Sequence, residues 1–249
     1  ITLGMKISNL RMMLASTVLA GAVMAPVSLW AAGYQKQGRC ITLSLPAKPK
    51  QAKTVRLTIV SDNIIRVEAT PEDAIPQKRK SLVVVNREGK YTADVKEDDR
   101  MVTVETAAII AKVEKQTGKL TFIDKTTGKV LLQEADGSKT FTKYVSNQTE
   151  LPENYRPTSP DEVNWGKKTD LYKLSLEDRS GYSWHALFES DADEAFYGLG
   201  QHQSEEMNYK GRNEELFQYN TKVAIPFVVS NKNYGILWDS YSYGRWGNP

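Results

Sequence analysis

Cysteine occurs once, at Cys40, so the chain can close no internal disulfide and offers no cysteine-rich metal site. Histidine is nearly as scarce. His185 and His202 are the two imidazoles, which leaves a transition-metal centre little to build from. Charge of one sign is also missing. The 33 basic and 30 acidic residues leave a formal net charge of +3 with no long one-sign block, which argues against a nucleic-acid partner. The sequence carries no phosphate-cradling glycine loop, no nucleophile elbow and no metal-ligand cluster, so no cofactor is expected. Beyond residue 32 there is no amphipathic helical stretch of ten residues and no apolar run long enough to span a membrane.

What is present is a soluble-protein composition, 40% apolar and 25% charged, which is enough for a core. Residues 1–32 stand apart. Lys6 and Arg11 precede the apolar stretch Met12 to Ala25, and the small residues Ser28, Ala31 and Ala32 follow. Positive flank, apolar stretch and small-residue exit are the parts of a secretory signal peptide, so a secreted or periplasmic protein is expected. Pro26 interrupts a stretch already short for a membrane anchor.

Residues 33–249 read as strand after strand. Ile41-Leu43-Leu45, Val55-Leu57-Ile59 and Ile65-Val67-Ala69 alternate with polar neighbours, the last two separated by Ser61-Asp62-Asn63. Leu82 to Val85, Tyr91-Ala93-Val95 and Val102-Val104 continue the series. Between Ile109 and Leu132, two Thr-Gly-Lys turns predict three neighbouring antiparallel strands. Asn147 to Asp170, with three prolines and no periodicity, reads as a surface excursion, after which strands resume at Leu171-Lys173-Ser175 and Trp184-Ala186-Phe188. The expected fold is all-β, two large antiparallel sheets packed face to face.

The stretch Phe196-Tyr197-Gly198-Leu199-Gly200-Gln201 ends a strand on two glycines and turns into a polar segment. Val223-Ala224-Ile225-Pro226-Phe227-Val228-Val229-Ser230 then resumes as an apolar strand. A polar loop pinned at both ends is a place for binding residues. His202, between Gln201 and Gln203, is placed to hydrogen-bond a polar ligand, whereas His185 within a strand reads as a packed or face residue. Carboxylates abound here (Asp191, Asp193, Glu194, Glu205, Glu206, Glu214, Glu215), yet abundance does not select a catalytic pair. Trp238, Tyr241, Tyr243 and Trp246 crowd the end of the chain. Aromatic faces suit sugar rings, although Trp238, between Leu237 and Asp239, reads as core.

Three landmarks in order, Phe196 to Gln201, Ala224 to Ser230 and Asn233-Tyr234-Gly235-Ile236-Leu237-Trp238-Asp239, resemble the N-terminal β-sandwich of glycoside hydrolase family 31. The form Gly198-Leu199-Gly200-Gln201-His202-Gln203 is similar to the secreted α-xylosidase branch. The resemblance implies a galactose-mutarotase-like supersandwich placed before a (β/α)8 barrel, in a retaining enzyme that acts on α-linked oligosaccharides such as those of xyloglucan. It also implies that both catalytic aspartates belong to the barrel, so none is assigned in this chain, which is read as a part of the enzyme and as inactive alone. Its own barrel and the oligosaccharide are the implied partners. Asn220 stands where many members place an aspartate that bonds the non-reducing sugar, and Phe227 matches a strand phenylalanine near the xylose side. The alternatives are a non-catalytic carbohydrate-binding or surface-assembly sandwich, and a sugar mutarotase using His185 or His202 as base.

Overall fold

A computed structural model describes residues 33–76, 81–84, 89, 91–144, 181–203, 207–218, 220–240 and 242–247. Within them the chain forms seventeen strands, and no residue is helical. β1 (Gln35–Gln37), β2 (Cys40–Ser44), β3 (Thr54–Ser61) and β4 (Ile64–Thr70) pair in that order into a four-stranded sheet. β5 (Asp94–Glu97), β6 (Met101–Glu105), β7 (Ile109–Glu114), β8 (Leu120–Asp124) and β9 (Val130–Glu134) run as an antiparallel meander. β10 (Thr140–Tyr144) pairs with β11 (Gly181–His185), and β12 (Phe188–Glu189) returns to the free edge of β9 to complete a six-stranded sheet.

The period-two pattern explains why these two sheets face each other. Ile41, Leu43 and Leu57 from one sheet meet Val102, Val104 and Val113 from the other, all fully buried in one cluster. Each such side chain stabilises the fold by roughly 1.5–3 kcal/mol relative to exposure. Outward positions on the same strands are polar, as at Thr42, Arg56, Thr58, Thr103 and Lys112. The two Thr-Gly-Lys turns form as the sequence predicts. Gly118 N–H donates to the Glu114 carbonyl at 2.7 Å and Gly128 N–H to that of Asp124 at 2.8 Å. Asp124 Oδ1 accepts the N–H groups of Thr126 and Thr127 at 2.8 and 2.7 Å, fixing the second turn.

Leu82 to Val84 depart from the expected strand. Ser81 Oγ accepts the N–H groups of Val83 and Val84, so a local side-chain turn replaces a ladder, and Leu82 is 84% exposed. The strand expected around Tyr91 begins only at Asp94. The signal-like segment, Val85, Asn147 to Asp170, Leu171 to Ser175, Glu205, Glu206 and Tyr241 lie outside the described residues.

The last third builds a second, smaller unit. β13 (Phe196–Gln201), β15 (Val223–Ser230) and β16 (Tyr234–Leu237) form a three-stranded sheet with β15 central, while β14 (Glu214–Leu216) pairs with β17 (Gly244–Trp246) as a ribbon. Phe196, Leu199, Tyr209, Val228 and Trp238 make its core, and Trp184 of β11 packs against both cores. Trp238 is buried as expected. Polar ties reinforce the junction. Arg66 on β4 donates to Asp239 Oδ2 at 2.9 Å, and Ser81 donates to Asp239 Oδ1 at 2.9 Å.

Candidate functional site

The segment from Gln201 to Lys222 is shaped by the bulge at its start. Gly198 pairs with Val228 and Gly200 with Ala224, so Ile225, Pro226 and Phe227 on β15 stand opposite Leu199 alone. This irregularity is where a central strand can hold a proline, because a ladder donor is not required there. The two glycines are obligatory for a second reason. At φ of 113° and 102° a Cβ is strained, and it would lie 2.7 Å from the Phe227 carbonyl oxygen at Gly198 and 2.0 Å from that of Val223 at Gly200. Between them, Leu199 is held at φ 64° with its side chain fully buried.

His202 braces that bulge. Its imidazole is only 2% exposed, Nε2 lies 2.8 Å from the Leu199 carbonyl oxygen, and Nδ1 is 3.0 Å from Glu214 Oε1 but off the line of a hydrogen bond. Lys222 Nζ pairs with the same Glu214 oxygen, so one carboxylate on β14 ties together the two ends of the loop. Gln203 and Thr221 add a side-chain bond across the loop neck. His202, singled out as a ligand donor, therefore faces inward as a strut. Tyr209 is also turned in, its N–H donating to the Phe196 carbonyl at 2.9 Å.

Farther out, the loop is open. Asn220 is exposed in the turn before β15 at φ 47°, and Phe217, just past β14, is 51% exposed. The Phe217 ring lies 6.4 Å from that of Tyr243, which is 58% exposed just before β17. The Tyr243 hydroxyl donates to Glu215 Oε1 at 2.8 Å, and that carboxylate holds the phenol pKa above its ordinary value. The third sequence candidate, Phe227, sits apart from this tip, 41% exposed on the outer face of β15 with its ring over Gly235.

Sequence reasoning missed Phe217 and the Glu214 tie. Phe217 gave no periodic signal, and Glu214 meets His202 and Lys222 only because β14 is recruited by β17. Buried Glu194 was likewise one acid among several. Its carboxylate accepts hydroxyls from Ser230 and Tyr234, each at 2.6 Å, and from Ser190 at 2.8 Å. Burial, and next the Glu194 carboxylate, push the Tyr234 phenol pKa far up, so that hydroxyl stays a donor. No group of His, Cys, Asp and Glu with metal-holding geometry occurs among the described residues.

The arrangement is an exposed loop tip held by a buried side-chain brace. The profile of the glycosyl hydrolase 31 N-terminal galactose mutarotase-like domain matches residues 54–246. An α-xylosidase of Saccharolobus solfataricus is 43% identical over 77 residues, 27% of this chain and 10% of that protein. A family 31 glucosidase, ORF2, of Pseudescherichia vulneris is 26% identical over 195 residues, 78% of this chain and 34% of that protein. The crystal structure of the α-xylosidase of Xanthomonas citri superposes with a TM-score of 0.69 at 32% identity, covering 86% of this chain and 20% of that one. The chain thus spans about a third or less of the length of these relatives. With a profile match over most of its length, the chain belongs to glycoside hydrolase family 31, as its N-terminal galactose mutarotase-like domain.

Proposed function

We propose that the chain is the N-terminal domain of a secreted or periplasmic retaining α-xylosidase acting on xyloglucan-type oligosaccharides, with the catalytic aspartates in a following barrel. The observation that carries this reading is the 32% identity with the Xanthomonas citri α-xylosidase across 86% of the chain. In such an enzyme one barrel aspartate attacks the anomeric carbon and the other protonates the leaving oxygen, then activates water. The sandwich contributes shape. Its loop tip, with Asn220, Phe217 and Tyr243, offers an amide and two aromatic faces to a sugar, and the His202–Glu214–Lys222 tie keeps that tip in place. Contacts of this kind help turnover only as far as they tighten in the transition state.

The test is sugar release by the full-length protein, xylose from an aryl α-xyloside against glucose from an aryl α-glucoside. Preferential xylose release supports the reading, and preferential glucose release replaces the sugar while keeping the family chemistry. The exposed Phe217–Tyr243 pair would serve a non-catalytic carbohydrate-binding sandwich equally well. A reading frame that closes after Pro249 would favour that second reading.

A further inference from the structure

The three-stranded sheet has one face too many. A sheet with water on one side alternates apolar and polar residues, and a strand that is apolar throughout is normally covered on both sides. β15 is apolar from Val223 to Val229, and only its last residue, Ser230, is polar. Val228, and with it Ala224 and Pro226, turn inward, while Val223, Ile225, Phe227 and Val229 point outward. Cross-strand neighbours extend that outer face, Tyr197 opposite Val229 and Leu237 opposite Phe227. These six side chains are each 39–49% exposed and include no charge. Gly235 keeps the surface even, because a Cβ there would lie 3.1 Å from the Phe227 ring. A contiguous apolar patch of this kind marks a contact surface.

We propose that this outer face of β13, β15 and β16 is the seat of the barrel that follows the sandwich in the full-length enzyme, docked through apolar side chains. The inference rests on the proposed reading of the chain as one domain of a longer glycosidase. Two observations name the occupant. The structurally similar Xanthomonas citri enzyme has about four-fifths of its length beyond the part this chain covers, so the partner is of domain size. The patch is also continuous with the candidate site. Val223 and Ile225 begin the strand that leaves Asn220 and Lys222, so a domain seated here adjoins the loop tip it would share.

The experiment compares one variant, Ile225→Cys, in the full-length enzyme and in the 249-residue chain, following maleimide labelling on the Ile225 peptide. Burial by a docked domain slows labelling about tenfold or more in the full-length enzyme. Equal, fast labelling in both overturns the proposal. So does slow labelling in both, which would mean that this chain covers its own face. A 249-residue chain that sediments as a dimer, and becomes monomeric with Ile225→Glu/Val229→Glu, would make a second copy the occupant, and also overturns it. In the full-length enzyme the same pair of charges should lower the melting temperature, with Thr103→Glu, on the outer face of the other sheet, as the neutral control. Labelling and melting are independent of activity, so an enzyme that protects Ile225→Cys but releases no xylose keeps the docking face and loses the sugar assignment.

Discussion

The two halves of the molecule handle their sheet faces differently. In the first, the inner faces of the four- and six-stranded sheets bury one another in a single core, and the outer faces carry threonine, arginine and lysine. In the second, three strands bury one face on a core of five residues and leave the other apolar and bare. The first half buries most of its hydrophobic pattern within itself, leaving only scattered residues such as Ile64, Leu82, Val83 and Val130 exposed, whereas the second leaves one apolar sheet face half exposed. Stability is therefore expected to concentrate in the first half and interaction in the second.

The largest effect should come from a charge locked in the first half. Lys139 Nζ pairs with Glu134, both side chains are 4% exposed, and Glu134 Oε2 also accepts the Leu120 N–H at 2.9 Å. Burial raises the Glu134 pKa and lowers that of Lys139, so each charge is tolerated only because of the other. Lys139→Met should cost about 3–5 kcal/mol by urea denaturation, while Lys139→Met with Glu134→Gln recovers most of it. A double variant as unstable as the single one would show that the pair itself, not the uncompensated carboxylate, matters. Next in size is a matched pair that tests the comparison directly. Ile59, 1% exposed between the large sheets, should cost about 2–5 kcal/mol as Ile59→Ala, whereas Ile225→Ala, at 49% exposure, should stay within about 0.5 kcal/mol in the 249-residue chain. Similar losses would erase the distinction between the two halves.

Much of this was legible in the residues, for a physical reason. Period-two alternation survives wherever a strand has one wet face, which is why β2, β3, β6 and the meander of β7, β8 and β9 were readable. It fails where a nearby side chain takes the backbone donors. Leu82 to Val84 have the composition of a strand, but Ser81 Oγ claims the N–H groups of Val83 and Val84. The candidate site was half legible. The double glycine read as the end of a strand and the Ile-Pro-Phe run as an apolar strand, whereas β13 continues to Gln201 and the two glycines form a bulge opposite Pro226. The direction in which His202 points was not encoded locally. It depends on Glu214, twelve positions away, which reaches the imidazole from β14.

The second half has its own polar keystone. Glu194→Ala would leave the hydroxyls of buried Ser230 and half-buried Tyr234 without their acceptor, at a cost of about 1–3 kcal/mol. If the two halves are separable in stability, hydrogen exchange should rise at the amides of Phe196 and Val228 and stay unchanged at those of Val104 and Val113. Uniform acceleration would mean that Trp184, which touches both cores, couples them into one cooperative unit.

The smallest expected effect is acid sensitivity confined to the first half. The Lys115 ammonium, 2.6 Å away, holds the Glu97 carboxyl below its usual range, and the N–H groups of Arg100 and Met101 do the same for Asp98. At the second meander turn the N–H of Thr127, with a further contribution from that of Thr126, lowers the Asp124 pKa. A carboxylate whose folded pKa is depressed adds stability that is complete above its unfolded value, near 4, and is lost as pH falls through the folded value. The urea midpoint should therefore be flat from pH 7 to about 5 and decline below about 4. Asp124→Asn retains an acceptor oxygen for the turn but cannot titrate, so it should make that decline shallower while leaving the neutral-pH midpoint nearly unchanged. A slope identical to that of the parent chain would show that the Asp124 carboxylate contributes nothing to the acid limb.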